Sequence, residues 1–246
     1  MNGSDERFMH GSFGAGRVLK AYLEPEEVAH LEESAICIRD RLLIRLLFRL
    51  GCRVSEALSL TVEDIDFIQG TVIIEHLKSR IGLSCHSCGA SLGKSYSFCP
   101  RCGTDVENIV AKKKELRRVR TLPVDDDTLE MLRDYINRGR TISKQGKTLV
   151  FGINRHRAWQ IVRECGHRAG LGDLVNPETG RKRGISPHRL RDAFAVHAMK
   201  VDDSGDGLRL LQVHLGHASF NTTAKYRKIA AVEHREWYQR LWNKTA

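Results

Sequence analysis

The sequence predicts an α+β chain, mainly helical, with a small antiparallel three-stranded sheet interrupted by a four-cysteine insertion. Three observations predict it. Apolar residues recur at helical spacing in several stretches bounded by proline starts and glycine stops. Residues 65–67, 71–77 and 116–124 read as strands, the second of them rich in β-branched residues. Two Cys-x-x-Cys hooks, Cys85/Cys88 and Cys99/Cys102, fall between the second and third of those runs. At 246 residues the chain is long enough for a substantial core, and its formal net charge of +10 favours a polyanionic partner, because Lys and Arg that neutralise phosphates release counterions. No run is long enough to span a bilayer and the N-terminus has no apolar leader, so the sequence predicts a cytoplasmic protein without a membrane partner.

Taken in order, residues 1–20 are glycine-rich and aperiodic, a flexible arm. Pro25 opens a helix through residue 34, and residues 40–50 form a second with Leu42, Leu43, Leu46, Leu47 and Leu50 on its buried side, stopped by Gly51. A short helix over 55–60 leaves Arg53 at the junction between helices, where a guanidinium can face a cleft. The strands 65–67 and 71–77 join through a Gln69-Gly70 turn. Lys112, Lys113, Lys114, Arg117, Arg118 and Arg120 then make a basic run suited to phosphate contact. Residues 125–138 are an amphipathic helix with Leu129, Leu132, Tyr135 and Ile136 inward, and 149–151 a brief strand. Residues 153–169 form a basic helix over a stripe of Trp159, Ile161 and Val162, of a kind that fits a major groove. Residues 176–184 read as a mobile basic loop, and 229–241 as a C-terminal segment with Val232, Trp237, Tyr238 and Leu241 on one face.

The insertion, residues 82–110, has ten residues between its hooks. Four thiolates at this spacing predict a closed tetrahedral Zn²⁺ site, a ribbon in which the metal is structural because no coordination position is left for an activated water. His86 is a bystander, and Cys37, Cys52 and Cys165 read as buried reduced thiols.

The chemistry concentrates in residues 186–226. Ser186-Pro187 starts a helix to about Lys200, with His188 and Arg191 three residues apart near its positive end. After an acidic break at 202–207, the run 208–214 ends at Leu215-Gly216, with His217 just beyond and Tyr226 in a short helix over 222–230. The His-x-x-Arg pair, the Leu-Gly-His turn and a tyrosine nine residues later resemble the signature of tyrosine recombinases, the phage-integrase and Xer-type family. The stretch Leu50-Gly51-Cys52-Arg53-Val54-Ser55-Glu56 resembles that family's first arginine motif.

The resemblance implies that residues 21–246 are a catalytic domain and that the protein is a site-specific DNA recombinase or integrase. It would use Tyr226 as nucleophile, Arg53 and Arg191 as the phosphate clamp, His188 as general base and His217 as hydrogen-bond donor. Glu56 would support Arg53. The family's lysine, which protonates the leaving 5′ oxygen, falls on Lys78 at the end of the second strand, with Lys112, Lys113 and Lys114 across the insertion as the alternatives. Tyr22, Tyr96, Tyr135 and Tyr238 are tyrosines too, but none follows a Leu-Gly-His turn. Neither ATP nor a catalytic metal is implied. The expected partners are double-stranded DNA and further copies of the chain, a tetramer exchanging its C-terminal helix. The same residue set also serves a type IB topoisomerase that nicks and rejoins. A non-catalytic DNA-binding or assembly protein is the third reading, against which stands the retention of all five of Arg53, His188, Arg191, His217 and Tyr226.

Overall fold

The computed structural model describes residues 20–93, 95–106, 110–176 and 179–227, without the side chains of 76–82, 110–118 and 227. Residues 1–19 of the arm expected over 1–20, and the segment 229–241, lie outside the described residues. Chain order runs α1 (Pro25–Glu33), α2 (Ile38–Arg49), α3 (Val54–Ser59), a 3₁₀ turn (Val62–Asp64), then the strands β1 (Ile65–Asp66), β2 (Thr71–Ser84), β3 (Ser91–Leu92) and β4 (Val110–Pro123). Next come α4 (Asp126–Asn137), the hairpin β5 (Ile142–Lys144) and β6 (Lys147–Leu149), α5 (Arg155–Arg168), and the hairpin β7 (Leu174–Val175) and β8 (Lys182–Arg183). The chain closes on α6 (Pro187–Val201), α7 (Gly205–Leu215), α8 (Phe220–Ala224) and a 3₁₀ turn (Lys225–Arg227).

The core is built on α2, whose Leu42, Leu43, Leu46 and Leu47 are fully buried, as their spacing predicts. Val28 and Leu31 of α1, Leu132 and Tyr135 of α4, Ile161 and Val162 of α5 and Leu190 of α6 complete the same cluster. A smaller cluster joins Ala195, Val196 and Met199 of α6 to Leu208, Leu211 and Leu215 of α7 and to Tyr226. Phe194 packs against both clusters.

Several sequence expectations shift. The sheet has four strands: β2 pairs with β1 at one end and β3 at the other along one edge, and with β4 along the opposite edge. The strands expected to end at 77 and begin at 116 pair continuously to Ser84↔Val110. A paired ribbon extends cooperatively once its end is closed, and the lysine run hid this by lacking apolar alternation. Ser186 takes the N-cap backbone of α6 without a side-chain cap bond. Helix α7 begins at Gly205, because Ser204 accepts from the Gly207 N–H and shortens the expected break. The basic loop at 176–184 contains the second strand of a hairpin, whose Val175 N–H donates to Lys20 O. On α5, Ala158, Ile161, Val162 and Cys165 form the buried stripe. Trp159, next to Ala158 and so about 100° round the helix, is 39% exposed with Arg163 over its ring.

Candidate active site and metal centre

Two backbone stops set the site. Gly51 ends α2 at φ 52°, and a Cβ there would meet the Phe194 ring at 2.3 Å, so both conformation and space require glycine. Gly216 ends α7 in the left-handed region, with the Arg120 guanidinium 2.9 Å from where its Cβ would sit. These stops bring the Leu-Gly-Cys-Arg and Leu-Gly-His turns to the same buried arginine.

That arginine is Arg191, 2% exposed on the first turns of α6. It donates to Gly51 O at 2.5 Å and to Leu215 O at 2.8 Å, and its Nη2 lies 3.0 Å from His217 Nε2. A guanidinium has only donors, so His217 Nε2 accepts and its Nδ1–H donates to Thr223 Oγ1 at 2.9 Å. Five guanidinium protons meet three acceptors, which leaves donors for a ligand. Burial, then the neighbouring Arg53, lowers the Arg191 pKa to about 10, still protonated at neutral pH. Burial, then Arg191 and Arg53, pushes His217 down to about 4, so it rests neutral.

Arg53 lies at the start of α3. Its Nη1 donates to Glu56 Oε1 at 2.9 Å and its backbone N–H to Glu56 Oε2 at 2.8 Å. Arg120 reaches the same carboxylate from β4, with Nη2 2.7 Å from Oε2. Burial raises the Glu56 pKa, but the hydrogen bonds from Arg120 and Arg53 outweigh it and hold the group below the usual range. Arg120, expected to touch phosphate, is partly buried and ion-paired with Glu56. His214, also unanticipated, closes the same corner, its Nε2 3.0 Å from Leu50 O and its ring stacked on Phe194.

Tyr226 is buried, 3% exposed, and its hydroxyl donates to Asp192 Oδ1 at 2.7 Å. Arg189 holds the other carboxylate oxygen at 2.7 Å. Burial, then the Asp192 charge, raises the Tyr226 pKa above its ordinary value. His188 is exposed at the start of α6; desolvation lowers its pKa, Asp192 opposes this, and Arg189 and Lys225 reinforce it. Lys78 is placed by backbone alone, in β2 opposite Leu116. Its register position shares a face with Ile74 and Arg120 and lies four residues, about 13 Å, beyond Ile74↔Arg120. Lys114 and Lys112 are on that face further out, and Lys113 is on the other.

The four insertion cysteines converge, all four sulfurs lying within 4.8 Å of one another. Cys85–Cys102 and Cys88–Cys99 sulfur separations are 3.6 Å each, near the ~3.8 Å edge of a tetrahedron with ~2.3 Å zinc–sulfur bonds. The hooks fold alike: Gly89 N–H donates to Cys85 O and Gly103 N–H to Cys99 O, with both glycines at positive φ. The residues therefore fit a structural metal, and Leu92 and Val106 are a core too small to hold the ribbon alone. Metal analysis is expected to find about one zinc per chain, and chelation to loosen residues 85–106 while the helical core stays folded. An ordered insertion in metal-free protein would contradict this.

The sequence profile of the phage integrase family matches residues 21–84 and 104–233 and passes over the two hooks' span between them. Tyrosine recombinase XerA of Pyrococcus furiosus is 28% identical over 235 residues, covering 91% of this chain and 63% of that protein. Tyrosine recombinase XerD of Mycobacterium leprae is 26% identical over 242 residues, covering 90% and 60%. The chain thus spans less than two thirds of the length of either relative. Among solved structures, a XerA recombinase superposes with a TM-score of 0.61 at 19% identity, covering 98% of this chain and 68% of that one. A XerH site-specific recombinase in a post-cleavage complex with its difH substrate gives 0.58 at 22%, covering 92% and 55%.

Proposed function

Because the chain belongs to the phage integrase family, we propose that it is the catalytic part of a site-specific recombinase that cuts and rejoins duplex DNA through a 3′-phosphotyrosyl bond. The observation that carries this reading is Arg191, which ties the turn before Arg53 to His217 in one buried, cationic corner. Two arginines there suit the non-bridging oxygens of a scissile phosphate, whose transfer depends chiefly on positioning and charge. The Tyr226 oxygen attacks phosphorus, the bond to the 5′ oxygen breaks, and that oxygen takes a proton from Lys78. The tyrosine proton passes to His188, and attack by a 5′ hydroxyl on the phosphotyrosine reverses the steps. For His217 to donate to phosphate through Nε2 it must gain a proton or take the other tautomer, with the Thr223 hydroxyl then donating to Nδ1, since Nε2 now accepts from Arg191.

Zn²⁺ would be held by Cys85, Cys88, Cys99 and Cys102 and would keep the insertion folded. No described helix is long and apolar enough to cross a membrane. Self-association on DNA through the C-terminal segment 229–241 belongs to the same reading. Register favours Lys78 over Lys112–Lys114, as the position nearest Arg120. Lys78→Ala is expected to slow cleavage about 10²–10⁴-fold and to regain most of that on a substrate with a bridging 5′ sulfur, a leaving group that needs no proton. Failure of the sulfur substrate to rescue it would remove Lys78 from the role.

A further inference from the structure

The β2–β4 ladder continues ten pairs beyond Ile74↔Arg120, a reach of about 33 Å and so roughly one turn of B-DNA. Its two faces differ in charge. The register positions sharing a face with Ile74 and Arg120 include Lys78, Arg80, Lys112, Lys114 and Arg118, with no acidic residue. The opposite face has Lys113 and Arg117 against Glu75 and Glu115, for no net charge. Alternate residues recur about every 6.8 Å along a strand, close to twice the ~3.4 Å rise per phosphate of one DNA strand. The cationic row begins at Arg120, the residue that braces Arg53 through Glu56. At its far end the ribbon exposes Phe98, Tyr96 and Arg101, with Phe98 62% exposed. Aromatic surface beside an arginine fits sugar and phosphate better than bulk water.

We propose that this one face of the arm is a phosphate track, which runs along the duplex from the active site to the ribbon and extends the domain's grip by about one helical turn. The occupant is the sugar–phosphate backbone of duplex DNA, contacted without base readout. The inference rests on the DNA reading above and adds where, and by which face, the duplex is held.

The test measures binding of a fluorescent ~30-base-pair duplex as a function of salt. Arg80→Gln/Lys112→Gln/Lys114→Gln, which spares Lys78, removes three charges from the proposed face. Its slope of log affinity against log salt is expected to fall by about 2.7, at about 0.9 per phosphate contact, with at least tenfold weaker binding at low salt. Lys113→Gln/Arg117→Gln removes two charges from the other face and is expected to change the slope by less than about 0.5. Should the triple variant fold poorly, Lys112→Gln/Lys114→Gln is expected to lower the slope by about 1.8. Equal losses per charge from the two faces would overturn the track while leaving duplex binding intact. Wild-type protein that bound no duplex would overturn the DNA reading and the track together.

Discussion

Arg191→Ala is expected to lower the rate of strand cleavage by about 10³-fold or more, the range found when a preorganised donor to a developing phosphoryl or oxyanion charge is removed. The same change should destabilise the fold by about 2–5 kcal/mol, because the carbonyls of Gly51 and Leu215 would both be left buried without their donor. Arg191→Lys would not restore function, since one ammonium cannot serve the two carbonyls and a phosphate in the guanidinium's fixed geometry. A histidine titration separates the two effects. His217 is held near 4, below its unfolded value, by burial and then by Arg191. The unfolded chain therefore binds more protons between about pH 6.5 and 4, and this contribution to stability is present above that window and lost as pH falls through it. Removing the Arg191 charge should raise the His217 pKa and narrow the window. An unchanged His217 titration in a folded Arg191→Ala protein would contradict the coupling.

Asp192→Asn is expected to speed formation of the first covalent adduct on a pre-nicked substrate by about tenfold. In the observed pose the Tyr226 hydroxyl is spent on Asp192 inside the protein, whereas a nucleophile must reach a phosphate. A hydrogen bond to a charged acceptor contributes about 1.5–3 kcal/mol and one to a neutral acceptor about 0.5–1.5 kcal/mol, so the loss of charge should raise the population of released tyrosine about tenfold. The phenol pKa, now raised by burial and then by the Asp192 charge, should fall towards its ordinary value, as read by absorbance at alkaline pH. If the adduct instead formed at least tenfold more slowly than in the wild-type protein, Asp192 would be acting as the proton acceptor and not as a restraint.

Much of this site was legible in the sequence because its parts are local. Pro187 at the first position of α6, Gly51 and Gly216 as helix stops, and the short spacings within each motif all follow from chain geometry. Glu56, three residues from Arg53, was readable as its support for the same reason. Asp192, Arg120, His214 and Thr223 were not, because each takes its role from a partner on another element. Asp192 meets Tyr226 34 residues away, and Arg120 meets Glu56 64 residues away. The available signal was a carboxylate at a position on α6 flanked by buried Leu190, Ala193 and Val196, where an acid requires partners. The length of β2 and β4 was hidden for a different reason. In the outer half of β4 the run Lys112-Lys113-Lys114-Glu115 breaks apolar alternation, so its pairing with β2 left little hydrophobic trace in the sequence.

Covalent capture reads the phosphotyrosyl bond itself. The protein is incubated with nicked duplex substrates in which the 5′ product strand is too short to stay annealed, then denatured and resolved by mass. The expected product is a protein–DNA adduct whose linkage maps to Tyr226 and which is absent in Tyr226→Phe. An adduct that persisted in Tyr226→Phe, or wild-type protein that bound these duplexes and formed none, would contradict that linkage.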